Sequence, residues 1–150
     1  MLRIIVLFLL STAAANAVTL TQTVPEDIVF DLTPLTPTDA GDYFDDTHTR
    51  DLTYLTIDNI PNNITWTLFA KISGDIPGII VSIRREDNGT GAILPQGGTS
   101  YEKLTTVYTA IFTGEGKRFD IPVRTQLKSV GVSDDNGTFS TNIDYKIETE

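Results

Sequence analysis

Residues 64–72 read Ile-Thr-Trp-Thr-Leu-Phe-Ala-Lys-Ile, and this stretch decides the fold class. Ile64, Trp66, Leu68, Ala70 and Ile72 fall in one row; Thr65, Thr67, Phe69 and Lys71 fall in the other. A period of two in β-branched and aromatic residues predicts a strand with one face in a core. The same habit extends outward in both directions. In 51–58, Thr53, Leu55 and Ile57 oppose Leu52, Tyr54, Thr56 and Asp58, and in 79–85 the residues Ile79, Val81 and Ile83 align. Thr105 to Thr113 predicts a strand with either Val107, Thr109 and Ile111 or Tyr108, Ala110 and Phe112 facing in. Phe119, Ile121, Val123, Thr125 and Leu127 alternate with Arg118, Asp120, Arg124 and Lys128; Pro122 inside that run predicts an edge or a bulge. Phe139, Thr141, Ile143, Tyr145 and Ile147 close the series.

Turn residues separate these runs: Asn59 to Asn63, Gly74-Asp75, Asp87-Asn88-Gly89, Pro95 to Gly98, Gly114-Glu115-Gly116 and Asp134 to Gly137. Asn-Gly tolerates positive φ and suits tight turns. No stretch carries a helical period. The pattern predicts an all-β fold, a single antiparallel immunoglobulin-like β-sandwich of about 7–9 strands, with a closed barrel as the alternative. Its expected core is Trp66, Leu68, Ile83, Ile111, Ile121, Val123, Ile143 and Tyr145. Thr33 to Arg50, rich in Pro, Thr and Asp, reads as a long loop.

The N-terminus predicts the compartment. Arg3 supplies a positive charge, Ile4 to Leu10 an apolar run, and Ala15-Asn16-Ala17 a small-x-small cleavage site. Residues 1–17 therefore read as a secretory signal peptide, with the mature β-sandwich domain at 18–150. The mature chain holds 10 basic and 20 acidic residues, a formal charge of −10. Nucleic acid and anionic lipid both require a cationic face, so neither is an expected partner. No apolar segment long enough to span a bilayer follows residue 17, and membrane insertion is not expected. The chain has no cysteine, which excludes disulfides, thiol catalysis and thiolate metal sites.

Few residues offer chemistry. The acidic stretch 39–51 could supply oxygen ligands to calcium through Asp39, Asp42, Asp45, Asp46 and Asp51, although its spacing is not that of an EF-hand. A solvated loop accounts for the same residues. His48 is the one histidine, and no Gly-x-Ser-x-Gly accompanies it. Glu86, Asp87, Asp134 and Asp135 sit in turns, where water keeps carboxylates ordinary. No enzyme activity and no cofactor are expected. Asn63-Ile64-Thr65, Asn88-Gly89-Thr90 and Asn136-Gly137-Thr138 are glycosylation sequons in a host that uses them.

The two ends carry the remaining signal. Val18, Leu20, Gln22 and Val24 alternate with Thr19, Thr21 and Thr23 directly after the cleavage motif. At the other end Gly137, Phe139, Tyr145 and Ile147 mark a closing strand with glycine fourteenth from the end. This strand resembles that of secreted bacterial pilin-like sandwiches, including fimbrial subunits and the spore-coat-U type. It departs from them in lacking the usual cysteine pair and in carrying Thr149 as the penultimate residue. The resemblance implies β-strand donation, in which one subunit's N-terminal strand fills a groove in the next. Two functions follow as expectations. One is a secreted structural or adhesive surface subunit that self-associates or docks a protein partner through Val18, Leu20, Gln22 and Val24. The alternative is a monomeric extracellular binding module, calcium- or carbohydrate-dependent, that uses loops at one end of the sandwich, with Val18–Val24 paired inside its own sheet.

Overall fold

The computed structural model describes residues 18–23, 47–49, 52–129 and 141–150, and every regular element among them is a strand. The alternation of 64–72 produces strand β4 (Thr65–Ile72), in which Trp66, Leu68, Ala70 and Ile72 are buried and the intervening residues are not. It is the middle of a three-stranded antiparallel sheet, between β7 (Thr109–Glu115) and β9 (Ile143–Thr149). A six-stranded antiparallel sheet faces it. Its order is β1 (Thr19–Thr23), β3 (Thr53–Asp58), β8 (Arg118–Ser129), β5 (Ile79–Arg85) and β6 (Glu102–Lys103). The last strand, β2 (Thr47–Thr49), pairs with β8 at 126–128, beyond the stretch 118–123 that β3 uses. Thr47–Thr49 thus forms a strand inside a region whose composition predicts only loop.

One apolar core lies between the sheets. The larger sheet contributes Leu55, Ile57, Val81, Ile83, Ile121, Val123 and Leu127, and the smaller one contributes Trp66, Leu68, Ala70, Ile72, Ile111 and Phe112. The all-β expectation and two antiparallel layers are what the chain adopts. Of the eight expected core residues, six are buried. Ile143 and Tyr145 are only half-buried, because β9 is an edge strand with no described neighbour on its outer side.

Two features of β8 depart from the simple pattern for identifiable reasons. Of the edge or bulge expected at Pro122, the edge is not found, since Pro122 lies in the longest, central strand, but the β3 register does slip just beyond it, between Leu55 and Ile57. Its carbonyl accepts from the Glu86 N–H at 2.9 Å, one residue past the end of β5. The missing proline N–H therefore falls at the last rung of that ladder, where it interrupts no run of paired strand. The alternation of β8 also reverses at its start. Arg118 is fully buried and Phe119 is exposed, the opposite of the simple pattern. Asp120 has φ +53, and the β3 register slips between Leu55 and Ile57, which is the signature of a bulge. A second slip, between Leu68 and Phe69, lets β7 bury Ile111 and Phe112 together, so both alternative faces of 105–113 contribute.

Candidate functional site

β1 follows from its own alternation. In β1 the Leu20 side chain packs against the core, while Thr19, Thr21, Gln22 and Thr23 are exposed and Val18 is half-buried beside Leu20. Its register on β3 runs from Thr19 opposite Asp58 to Thr23 opposite Tyr54. One side-chain bond anchors it: the Asn59 amide donates to Thr19 Oγ1 at 2.8 Å. Asn59 itself has φ +55 and donates its backbone N–H to the Asp58 carboxylate at 2.7 Å. That bond, and then the Lys117 ammonium, hold the Asp58 carboxyl below its ordinary pKa. Gln22, the one polar member of its row, is exposed and needs no buried partner. Val24, Asp39, Asp42, Asp45, Asp46 and Asp51 lie outside the described residues, as do residues 1–17, Gly137, Phe139, Asp134 and Asp135. His48 is placed by its backbone alone, opposite Leu127.

Sheet edges expose unpaired N–H and C=O groups, and proteins blunt them by shortness, charge or cover. β2 and β6 are three and two residues long. β7 is covered in part: Gln96 and Thr113 exchange both backbone bonds, at 2.9 and 3.0 Å. β9 carries Asp144, Lys146 and Glu148, with ion pairs from Lys71 to Asp144 and from Lys146 to Glu148. β1, with the sequence Thr-Leu-Thr-Gln-Thr, has none of these devices among the described residues.

The outer face of the small sheet holds aromatic and cationic groups. Lys71 and Lys146 lie 4.9 and 4.6 Å from the centre of the Tyr108 ring, and Lys146 also lies over Phe69. Beside it, a groove of about 230 Å³ is lined by Thr65, Thr67, Gln96, Glu115, Glu150 and the exposed Leu94. On the outer face of the large sheet, Glu86 receives Arg84 at 2.8 Å and Arg124 at 3.0 Å, and Arg84 stacks on Tyr101. Glu86 is thus a structural counter-ion, and Asp87 accepts the Asn88 N–H at 2.6 Å. Among the described residues no three His, Asp or Glu side chains gather as metal ligands, and no helix is long and apolar enough to cross a membrane.

The most constrained cluster is one that the alternation did not single out. Arg85 continues the inward row of Ile79, Val81 and Ile83 and is 6 % exposed; Arg118 is 0 % exposed. Both reach into the loop that follows β5. Arg85 donates to the Gly97 carbonyl through Nη2 at 2.9 Å and to Asn88 Oδ1 through Nη1. Arg118 donates to the carbonyls of Ile93 at 2.6 Å, Gly89 at 3.2 Å and Asn88. No carboxylate among the described residues bonds either guanidinium. Burial lowers the pKa of both, and Arg85 is lowered further by the like charge of Arg118, with Asp87 acting weakly the other way. The visible sequence clue was an arginine in a core-facing row; for Arg118 the bulge erased even that. Comparison with protein-family models, with curated proteins and with solved structures finds no match for this chain.

Proposed function

We propose that the chain is a secreted surface subunit, structural or adhesive, that associates with a neighbour by donating its terminal strand. The observation that carries this reading is the bare edge at β1. The strand is uncharged, pairs with β3 alone among the described residues, and sends one side chain, Leu20, toward the core from its ladder. Such a strand is weakly held and readily exchanged, because few side-chain contacts oppose its release. The 23 residues between Thr23 and Thr47 could span up to about 80 Å when extended. The β1–β3 pairing that the chain makes with itself can therefore be made with a second copy without a new contact type. Main-chain bonds supply the affinity, and Val18 and Leu20 set the register. The Ala-Asn-Ala motif before Val18 supports release of this strand by cleavage after export.

Size-exclusion chromatography of the mature protein with and without residues 18–24 tests the proposal. Deletion should abolish oligomers and leave a folded monomer with β3 exposed. A synthetic 18–24 peptide should bind that monomer and stabilise it. If deletion unfolds the domain and the peptide fails to restore it, the strand belongs to its own core, and the monomeric binding module becomes the better reading.

A further inference from the structure

Two buried guanidiniums that bond no carboxylate among the described residues are an incomplete electrostatic arrangement in a chain whose formal charge is −9. Buried charges are ordinarily paired, because carbonyl dipoles compensate a lost hydration shell less fully than an opposite charge does. The residue lying between both arginines is Asn88. Its side-chain Oδ1 accepts from Arg85 Nη1, and its backbone carbonyl accepts from Arg118 Nη2. Its successor is Gly89, with φ +63 and no side chain; a Cβ there would lie 2.4 Å from the Phe119 carbonyl oxygen. The Gly89 N–H donates to no described group. Asn88 is half-buried, so water reaches it.

We propose that Asn88–Gly89 is a self-modification site, where Arg85 and Arg118 promote conversion of the Asn88 amide into the carboxylate that their buried site lacks. The two hydrogen bonds fall on the two groups that must be activated. Arg118 polarises the peptide carbonyl of Asn88, which acidifies the Gly89 N–H of that same peptide group. Arg85 polarises the side-chain carbonyl, so Cγ becomes the better electrophile. The Gly89 nitrogen gives its proton to water and attacks Cγ; negative charge develops on Oδ1, where Arg85 already donates. The intermediate collapses as the Cγ–Nδ2 bond breaks and Nδ2, protonated from water, leaves as ammonia. The product is a five-membered succinimide. Water then opens the ring, either by attack at Cγ with cleavage of the Cγ–N bond, which gives aspartate, or by attack at the backbone carbonyl carbon with cleavage of its C–N bond, which gives isoaspartate, and a carboxylate is left in either case. The net change is amide plus water to carboxylate plus ammonium, with no oxidant and no cofactor. Glycine at 89 removes the side chain that would obstruct ring closure. Asp87 acts on Arg85 only weakly and without direct contact; its carboxylate accepts the Asn88 N–H and bonds neither guanidinium.

The mature protein is incubated at neutral pH, either native or unfolded in urea, and the peptide covering 86–92 is followed by mass spectrometry for the gain of one mass unit. Asn136–Gly137 in the same chain is the internal reference. Asn88 should convert several-fold faster in the native protein than in urea, and faster relative to Asn136 than it does in urea. Arg85→Gln, shown to be folded by its Trp66 emission, should lose that advantage. Asn88→Asp should raise the urea midpoint at neutral pH, and the gain should vanish in acid as the new carboxylate is protonated. Slower conversion of Asn88 in the native state than in urea, or a lower midpoint for Asn88→Asp, overturns the proposal. Both readouts remain available if Arg85→Gln does not fold.

Discussion

Replacing Gly114 with alanine tests how the core is closed. Gly114 lies opposite Trp66 on β7, and the indole occupies the space where a side chain at 114 would stand. A Cβ there would stand 2.2 Å from Cζ2 and 2.5 Å from Cη2 of Trp66, more than 1 Å inside ordinary contact. The indole must move. It is 1 % exposed, meets Phe112 edge-on at 6.0 Å between ring centres, and donates Nε1–H to the Gly116 carbonyl at 2.8 Å. Overpacking costs about 1–3 kcal/mol. Leaving the buried indole N–H without its acceptor costs about 1–3 more. The sum, about 2–6 kcal/mol, is a large share of the roughly 5–15 that holds a domain together. With an unfolding entropy near 2.1 cal/mol/K per residue over about 130 residues, it lowers Tm by roughly 7–20 °C. In urea, with a slope of about 2 kcal/mol/M, the midpoint falls by roughly 1–3 M. Trp66 is the one tryptophan, so its emission reports both the unfolding and any displacement in the native state. Gly74→Ala is the matched control: a Cβ there meets nothing within 4 Å, and the effect should stay within about 0.5 kcal/mol. A Gly114→Ala protein with parental emission and midpoint would refute the placement of Trp66 over β7.

Four further outcomes are expected. Trp66→Ala should cost about 3–5 kcal/mol in urea unfolding followed by circular dichroism, since it leaves a cavity between the sheets. Arg118→Met should cost about 2–5 kcal/mol, because the carbonyls of Asn88, Gly89 and Ile93 lose their donor; protection from proteolysis in the loop after β5 should fall with it. The Asp58 carboxyl is held below its ordinary pKa of 3.8 in the folded state, so its stabilising effect is present above that value and lost as pH falls through the lower, folded value. The advantage of the parent over Asp58→Asn in thermal melts should accordingly be seen at neutral pH and fade in acid. Burial raises the Tyr145 phenol above its ordinary 10.0, which reverses the direction: that contribution is full below 10 and is lost as pH rises above it. Near pH 10 the native parent and Tyr145→Phe should therefore show the same phenolate absorbance, whereas in urea the parent should show more.

What the sequence determined by itself was every feature that depends on nearest neighbours along a strand. The rows of 53–57, 64–72 and 79–83 face the core as their alternation requires, because side chains two apart in an extended chain must share a face. Turn chemistry placed the breaks at Asn59 to Asn63, at Gly74 and at Gly116. Only the tertiary structure decided matters set by a strand's partners. Arg118 is inside and Phe119 outside because a bulge at Asp120 shifts the pleat by one residue, which reverses every face on one side of it. Pro122 sits in a central strand because its missing N–H falls at the last rung of the β5 ladder. Ile143 and Tyr145 are half-buried because β9 is an edge, a property of strand order and not of composition. The Arg85–Asn88–Arg118 cluster was legible only in part. Arg85 stood in an apolar row, but residues separated by 30 positions meet only when a long loop folds back along β8. A buried cation declares itself by what surrounds it, and that environment is assembled in three dimensions.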